Sequence, residues 1–246
     1  MTAPVFVAED FTAGGDGRYV LDGPEGRHAV SVKRLRAGED VVLTDGAGRW
    51  ADCVVLDTEG KDRLVLRLEA VHEEPAEQPR VTVVQALPKG DRGELAVETM
   101  TEVGVDAIVP WAAARCITQW KGERGAKALG KWRATAREAG KQSRRVRFPE
   151  VAEAATSRQV AALLAGAEFA AVLHESGDTP LATAELPATG EIVLVVGPEG
   201  GVAPEELALF EEAGAKAYRL GRSVLRTSTA GTAAAAVLLA RTGRWS

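Results

Sequence analysis

Two short stretches in the last quarter of the chain carry residue types and spacing that could do chemistry. The first, Gly197-Pro198-Glu199-Gly200-Gly201, follows the apolar run Ile192-Val193-Leu194-Val195-Val196. The second, Leu220-Gly221-Arg222-Ser223-Val224-Leu225-Arg226-Thr227-Ser228-Thr229-Ala230, opens an alanine-rich helix. Paired glycines reach positive φ and let backbone N–H and C=O groups face a flat ligand, while Glu199 is placed to brace its own loop. Taken alone, the pentapeptide reads as an ordinary turn. The second stretch changes that, because two glycine-bearing turns after buried strands are how α/β proteins build a site at the carboxyl ends of strands.

Several chemistries are excluded by pattern. There is no G-x-G-x-x-G fingerprint and no G-x-x-x-x-G-K-[ST] loop, so neither a nicotinamide nor a nucleoside triphosphate is indicated. Cys53 and Cys116 lie far apart, and His28, His72 and His174 are equally scattered, so no metal is expected and no disulfide framework is suggested.

Charge points to a polyanionic partner. The net charge is -5, yet Lys121 to Arg147 holds ten basic residues against Glu123 and Glu138, a local +8 that leaves -13 for the remainder. Such asymmetry is the electrostatic footprint of a basic face turned to nucleic acid, although a charge run by itself is also how a solvated helix face reads. A second basic group, Arg27, Lys33, Arg34 and Arg36, surrounds His28. His28 could meet a base or phosphate or could serve as a structural hydrogen-bonder, and the latter is the more usual role of a lone histidine.

The elements that must position these residues fall into two groups. Residues 1–73 read as short strands, Arg18 to Leu21, Asp40 to Thr44, Arg49 to Asp57 and Arg63 to Val71, with glycine-bearing turns between them, a pattern that predicts a small β-barrel. Arg27 to Arg36 is a short helix or strand. Residues 74–79 supply acids and two prolines without apolar periodicity and read as a linker.

Residues 80–246 then alternate strand and helix: Val81 to Leu87, Arg92 to Val103, Ala107 to Trp111, Ala126 to Gln142, Arg158 to Leu164, Glu168 to Leu173, Ile192 to Val196, Pro204 to Glu212 and Ala217 to Leu220. This predicts an α/β domain with a parallel sheet of at least five strands. In the helix Ala126 to Gln142, Leu129, Trp132, Ala136 and Ala139 form one buried stripe, and Lys127, Lys131, Arg133, Arg137 and Lys141 form basic ridges. The first ten residues carry no basic start and meet acid at once, and the longest uncharged stretch, Thr227 to Ala240, is shorter than the roughly 18 apolar residues a bilayer requires. A cytoplasmic protein without a membrane segment is expected.

With the segment Gln142-Ser143-Arg144-Arg145, the two glycine-bearing stretches resemble the RsmE-like 16S ribosomal RNA uridine-N3 methyltransferases of the SPOUT superfamily. The likeness runs nearly the whole chain: His28, Val32 and Arg34; Lys89-Gly90; Glu102-Val103-Gly104-Val105; Arg115; Gln142, Ser143, Arg145 and Pro149; then G-P-E-G-G and L-R-T-x-T-A. Ser228, Glu98 and Cys116 depart from the family pattern.

The resemblance implies a PUA-like N-terminal barrel, a C-terminal domain with a deep trefoil knot, S-adenosyl-L-methionine in the knot, and a homodimer joined through Thr227 to Arg241. It implies methylation of 16S rRNA within the small ribosomal subunit. Leu173, Gly197, Glu199, Gly200, Leu220, Leu225 and Thr229 are then expected to hold the cofactor. Arg226 is the leading catalytic candidate, with Arg115 and Arg145 next, because arginines can stabilise the charge that builds on uracil O2 and O4 as N3 loses its proton. Arg226 could instead serve as a helix-start or phosphate contact. RNA contacts are expected from Arg27, Lys33, Arg34, Arg137, Lys141 and Arg144. Two alternatives are a non-catalytic RNA-binding module for ribosome assembly and a ribose 2'-O-methyltransferase of the same superfamily.

Overall fold

The computed structural model describes residues 3–12 and 17–246, so the first two residues of the stretch read for a leader lie outside the described residues. By its contacts the chain forms two compact units. The first takes residues up to Ala76 together with Gly140–Phe148, and the second takes Glu77–Ala139 and Pro149–Ser246.

In the first unit, β1 (Val5–Val7), β2 (Arg18–Leu21), β3 (Asp40–Thr44), β4 (Arg49–Glu59) and β5 (Arg63–Glu73) form one curled sheet in the order β1-β3-β4-β5-β2. Among the described residues of this sheet the β1–β3 pair is parallel and the other pairs are antiparallel. Two register shifts between β4 and β5, at Asp52/Cys53 and Val55/Asp57, are β-bulges of the kind that bend a strand and tighten twist. Alternate residues such as Leu43, Ala51, Cys53, Val55, Leu64 and Leu66 turn inward onto Phe6 and Phe11. The Arg27 to Arg36 stretch is helical: α1 (Gly23–Arg27) runs into a π-helical turn, His28–Val32.

The segment Gly140–Phe148 packs with these strands for specific reasons. Phe148 N–H donates to Gly46 O (2.8 Å), Gly48 N–H to Val146 O (3.1 Å), and the Thr44 hydroxyl to Val146 O (2.8 Å). The rings and cations of the segment occupy the space that side chains at glycine positions would need: the Phe148 ring lies against Gly46 and Gly140, and the Arg147 guanidinium against Gly48.

The second unit holds a seven-stranded sheet in which every pairing is parallel. Its strands are β6 (Arg80–Ala86), β7 (Ala107–Trp111), β8 (Glu150–Val151), β9 (Phe169–Leu173), β10 (Thr179–Pro180), β11 (Glu191–Val196) and β12 (Lys216–Arg219), ordered β10-β12-β9-β11-β6-β7-β8. β8 and β10, two residues each, escape any periodicity reading, which is why more strands occur than the five counted from sequence. The helices are α2 (Arg92–Val103), α3 (Gly122–Gln142), α4 (Ser157–Ala165), α5 (Pro204–Glu212) and α6 (Thr227–Arg241).

Period-two alternation sorts the sheet's side chains into two cores. Val81, Val83, Ile192 and Leu194 join Met100, Trp132, Ala234 and Leu238 on one side. Val84, Val193 and Val195 join Trp111, Val160, Leu164 and Phe210 on the other. A parallel sheet buried on both faces reads as continuous apolar runs, as these strands do. The predicted stripe of α3, Leu129, Trp132, Ala136 and Ala139, is buried throughout. Among the described residues no helix is long and apolar enough to cross a membrane.

Candidate active site

A cleft of about 620 Å³ opens in the second unit at the carboxyl ends of β9, β11 and β12. Three loops line it, each leaving one of those strands: Leu173-His174-Glu175, Gly197–Val202 and Arg219–Arg226. Their meeting depends on close backbone approach. His174 N–H donates to Tyr218 O (3.0 Å), and a Cβ at Gly177 would stand 2.7 Å from the Tyr218 carbonyl carbon.

The glycine loop is held from several directions. Gly201 takes φ 74°, a conformation that side-chain-bearing residues rarely adopt, and its N–H closes a turn onto Pro198 O at 2.9 Å. Arg115 donates from Nη1 to Gly200 O (3.0 Å). Glu199 ties the loop to another segment rather than to its own backbone: its carboxylate accepts from Lys89 N–H at 3.3 Å. Gly200 faces Arg115, since a Cβ there would lie 3.3 Å from Arg115 Cβ.

The loop that enters α6 is different. Gly221 to Arg226 is exposed throughout, and Val224 and Leu225 leave 83% and 40% of their surface open while lining the cleft. Arg226 is the N-cap of α6, in extended backbone, and its carbonyl accepts from Thr229 N–H and Ala230 N–H, both at 2.9 Å.

Of the cofactor candidates, Leu173, Gly197, Glu199, Gly200, Leu220 and Leu225 line the cleft. Thr229 lies in the first turn of α6 between Thr227 and Ala230, which line the cleft, and its own hydroxyl donates to Arg226 O (3.2 Å). Arg115 and Arg226 line the cleft. Arg145 belongs to the first unit, where its N–H donates to Gly140 O at 2.9 Å.

The RNA candidates divide as well. Arg27, Lys33, Arg34 and Arg144 are exposed in the first unit, and Arg137 is exposed on α3. Arg34 and Arg144 have φ of 57° and 59°, a strained conformation of the kind that collects at ligand clamps. Lys141 is corrected. Its side chain is only 6% exposed and its ammonium donates to Glu25 at 2.9 Å, so it is spent as an internal ion pair and offers no charge to a ligand. His28 packs edge-on against Phe6, with ring centroids 5.8 Å apart.

Arg92, Arg219, Arg222, His174 and Val224 also line the cleft and were not singled out from sequence. Arg222 and Val224 lie inside the second glycine-bearing stretch and Arg219 directly precedes it, whereas Arg92 and His174 carry no local signal. Five arginines against Glu175 and Glu199 make the lining net basic. Among the departures from the family pattern, Ser228 is buried, Glu98 is exposed, and Cys116 is half-buried with its thiol pKa raised, first by burial. No cluster of potential metal ligands occurs among the described residues.

A parallel α/β unit with a basic, glycine-lined cleft at its strand ends, carried on one chain with a small curled β unit, defines a class of two-unit proteins whose small-molecule cleft lies at the carboxyl ends of parallel strands. Family comparison places the chain within that class: residues 75–239 match the RNA methyltransferase domain and residues 21–69 the RNA methyltransferase PUA domain. Ribosomal RNA small subunit methyltransferase E of Mycobacterium bovis is 46% identical over 230 residues, covering 92% of this chain and 87% of that protein. Its counterpart from Bacillus subtilis is 29% identical, covering 86% of each. The crystal structure of ribosomal RNA small subunit methyltransferase E from Neisseria gonorrhoeae, bound to S-adenosyl methionine, superposes with a TM-score of 0.84 at 28% identity over 98% of both chains. A Legionella pneumophila methyltransferase in complex with SAM gives the same TM-score at 27% identity and the same coverage. The chain belongs to the ribosomal RNA small subunit methyltransferase E family.

Proposed function

We propose that the chain transfers a methyl group from S-adenosyl-L-methionine to N3 of a uridine in 16S ribosomal RNA, with the small ribosomal subunit as its setting. The observation that carries this is the cleft at the ends of β9, β11 and β12, formed by the glycine loop on one side and the Arg226 loop on the other. Its residues fit the cofactor. The volume lies in the range of small-molecule sites, Gly221 has no protein atom within 4 Å of where a Cβ would stand, and Val224 and Leu225 present apolar surface that a bound ligand would cover.

Leu173, Gly197, Glu199, Gly200, Leu220 and Leu225 would hold the cofactor, which when bound supplies an electrophilic methyl group on a sulfonium. The chain's own work is alignment and charge. The carboxyl-end loops fix the direction of approach. Arg226, exposed at the cleft, stabilises negative charge on the uracil oxygens as N3 is deprotonated, and Arg115 retains N–H groups beyond the one given to Gly200 with which to assist. Arg145 is a further candidate for the same role. Arg27, Lys33, Arg34, Arg137 and Arg144 contact the RNA backbone. The unit that takes residues up to Ala76 with Gly140–Phe148 acts in RNA binding, and the unit Glu77–Ala139 with Pro149–Ser246 in catalysis, so the expected boundary at 74–79 is joined by the return of Gly140–Phe148 to the first unit. The same resemblance supports a trefoil-knotted catalytic domain, a cytoplasmic setting and a homodimer through α6, whose half-buried alanines permit close approach of a twofold partner.

Nucleoside mass mapping of small-subunit RNA from cells with and without the gene tests the reading. Loss of a base-methylated uridine supports it, and loss of a ribose methyl replaces it with the 2'-O reading. Sedimentation of the purified protein at micromolar concentration tests the dimer.

A further inference from the structure

Behind the glycine loop lies a buried carboxylate with no direct place in the cleft. Glu206, in the first turn of α5, is 6% exposed. Its Oε1 accepts from Ser157 Oγ at 2.6 Å and from Ala114 N–H at 2.8 Å, and its Oε2 accepts from Ala203 N–H at 3.3 Å. Ser157, at the start of α4, in turn accepts from the indole N–H of Trp111 at 3.2 Å. One carboxylate thus gathers the beginnings of two helices and the loop that leaves β7.

That loop carries the next link. Ala114 is followed by Arg115, which donates to Gly200 O in the cleft and lies beneath the Cβ position of Gly200. A capping acid needs only its own helix's free N–H groups. Glu206 spends one oxygen that way and commits the other to a different strand's loop. A buried carboxylate bound by three donors is expensive to lose, since each donor is then left without an acceptor in the interior.

We infer that Glu206 is a positioning residue for methyl transfer: through Ala114 it sets the place of Arg115, and through Arg115 the place of the Gly200 carbonyl that shapes the cofactor side of the cleft. This rests on the cleft being the S-adenosylmethionine site, and the test separates the two ideas.

Amide hydrogen exchange and calorimetric S-adenosylmethionine binding are measured on the full chain for wild type, Glu206→Ala, Glu206→Gln, Arg115→Ala and the double variant Glu206→Ala/Arg115→Ala. In Glu206→Ala, exchange at residues 114–116 and at Gly200 and Gly201 rises about tenfold, and cofactor affinity falls about tenfold, the scale of one lost charge-assisted hydrogen bond. Glu206→Gln falls between it and wild type. In the Arg115→Ala background Glu206→Ala costs less than about twofold more, because both act through one contact. If Glu206→Ala does not fold, Glu206→Gln is read in the same way, alone and with Arg115→Ala. Exchange that rises only at residues 203–207, or losses of affinity that simply add, would overturn the assignment and leave Glu206 a helix cap. Wild type that fails to bind S-adenosylmethionine overturns the proposed function instead, while the exchange pattern still decides the role of Glu206.

Discussion

The two walls of the cleft are built on opposite plans. The glycine loop Gly197–Gly201 is held by the Arg115 guanidinium, by Glu199 on Lys89, by its own turn, and from behind by the Glu206 network. The loop Gly221–Arg226 is exposed along its whole length and shows two large apolar side chains to the cleft. A braced wall arrives preorganised and costs little to order on binding; an open wall gains its contacts only when a ligand covers it. The division suits methyl transfer, in which the donor must be held in fixed geometry while a large RNA is admitted.

The largest expected effect lies on the open wall. Arg226→Ala lowers single-turnover methylation of small-subunit RNA about 10²- to 10³-fold, the scale of one lost charge-stabilising donor, with S-adenosylmethionine affinity changed less than about threefold. Equal losses in rate and cofactor affinity would make Arg226 part of the cofactor wall instead.

The same contrast of braced and open recurs among the first unit's cations. Lys141 is buried against Glu25, so Lys141→Ala destabilises by about 3 kcal/mol on chemical denaturation by removing one member of a buried ion pair, and the pair Lys141→Met with Glu25→Leu recovers much of it. Arg34→Glu, at an exposed position, weakens RNA binding and lowers its salt dependence without that cost. Equal stability of Lys141→Ala and wild type would return Lys141 to the RNA face.

One substitution at two glycines sharpens the comparison further. A Cβ at Gly197 would come within 2.9 Å of Val202 Cγ2, so Gly197→Val lowers both thermal midpoint and cofactor affinity. Gly221→Val meets no protein atom within 4 Å at its Cβ, so the midpoint holds while affinity falls about tenfold. Unchanged affinity in Gly221→Val would remove the open wall from the cofactor site.

The smallest effect concerns the thiols. Burial pushes Cys53 up to about 12 and also raises Cys116, beside Arg115 in the braced wall. Neither thiol is labelled rapidly by iodoacetamide at neutral pH, because the reactive thiolate is scarce. A raised folded pKa means that the unfolded chain gives up its proton first, so this contribution is complete below about pH 9 and is lost as pH climbs toward 12. Cys53→Ala should flatten that alkaline decline in thermal midpoint; an unaltered decline would assign it to other groups.

Much of this protein was written in its local pattern. The ranges Asp40–Thr44, Arg92–Val103, Ala107–Trp111 and Pro204–Glu212 coincide with the elements observed, because apolar periodicity, a glycine after a helix and a proline in a first turn act over a few residues. The glycine loop and Arg226 were legible for the same reason: each lies where a buried strand or helix begins or ends. What tertiary structure alone decided are partnerships across long separations. Lys141 reads as one more cation on a basic ridge until Glu25, 116 residues away, takes it inside. Gly140–Phe148 reads as part of the second domain, spanning the end of the helix Ala126 to Gln142 and the segment after it, yet it packs with the first unit, where the Phe148 ring occupies the space left by Gly46 and Gly140. Glu206 is not singled out by any local pattern, and its carboxylate meets Ala114, 92 residues away in sequence, only once β6 has set β7 and β11 on either side of it in the sheet. Such contacts depend on shape and burial summed over the fold, which no window of neighbouring residues contains.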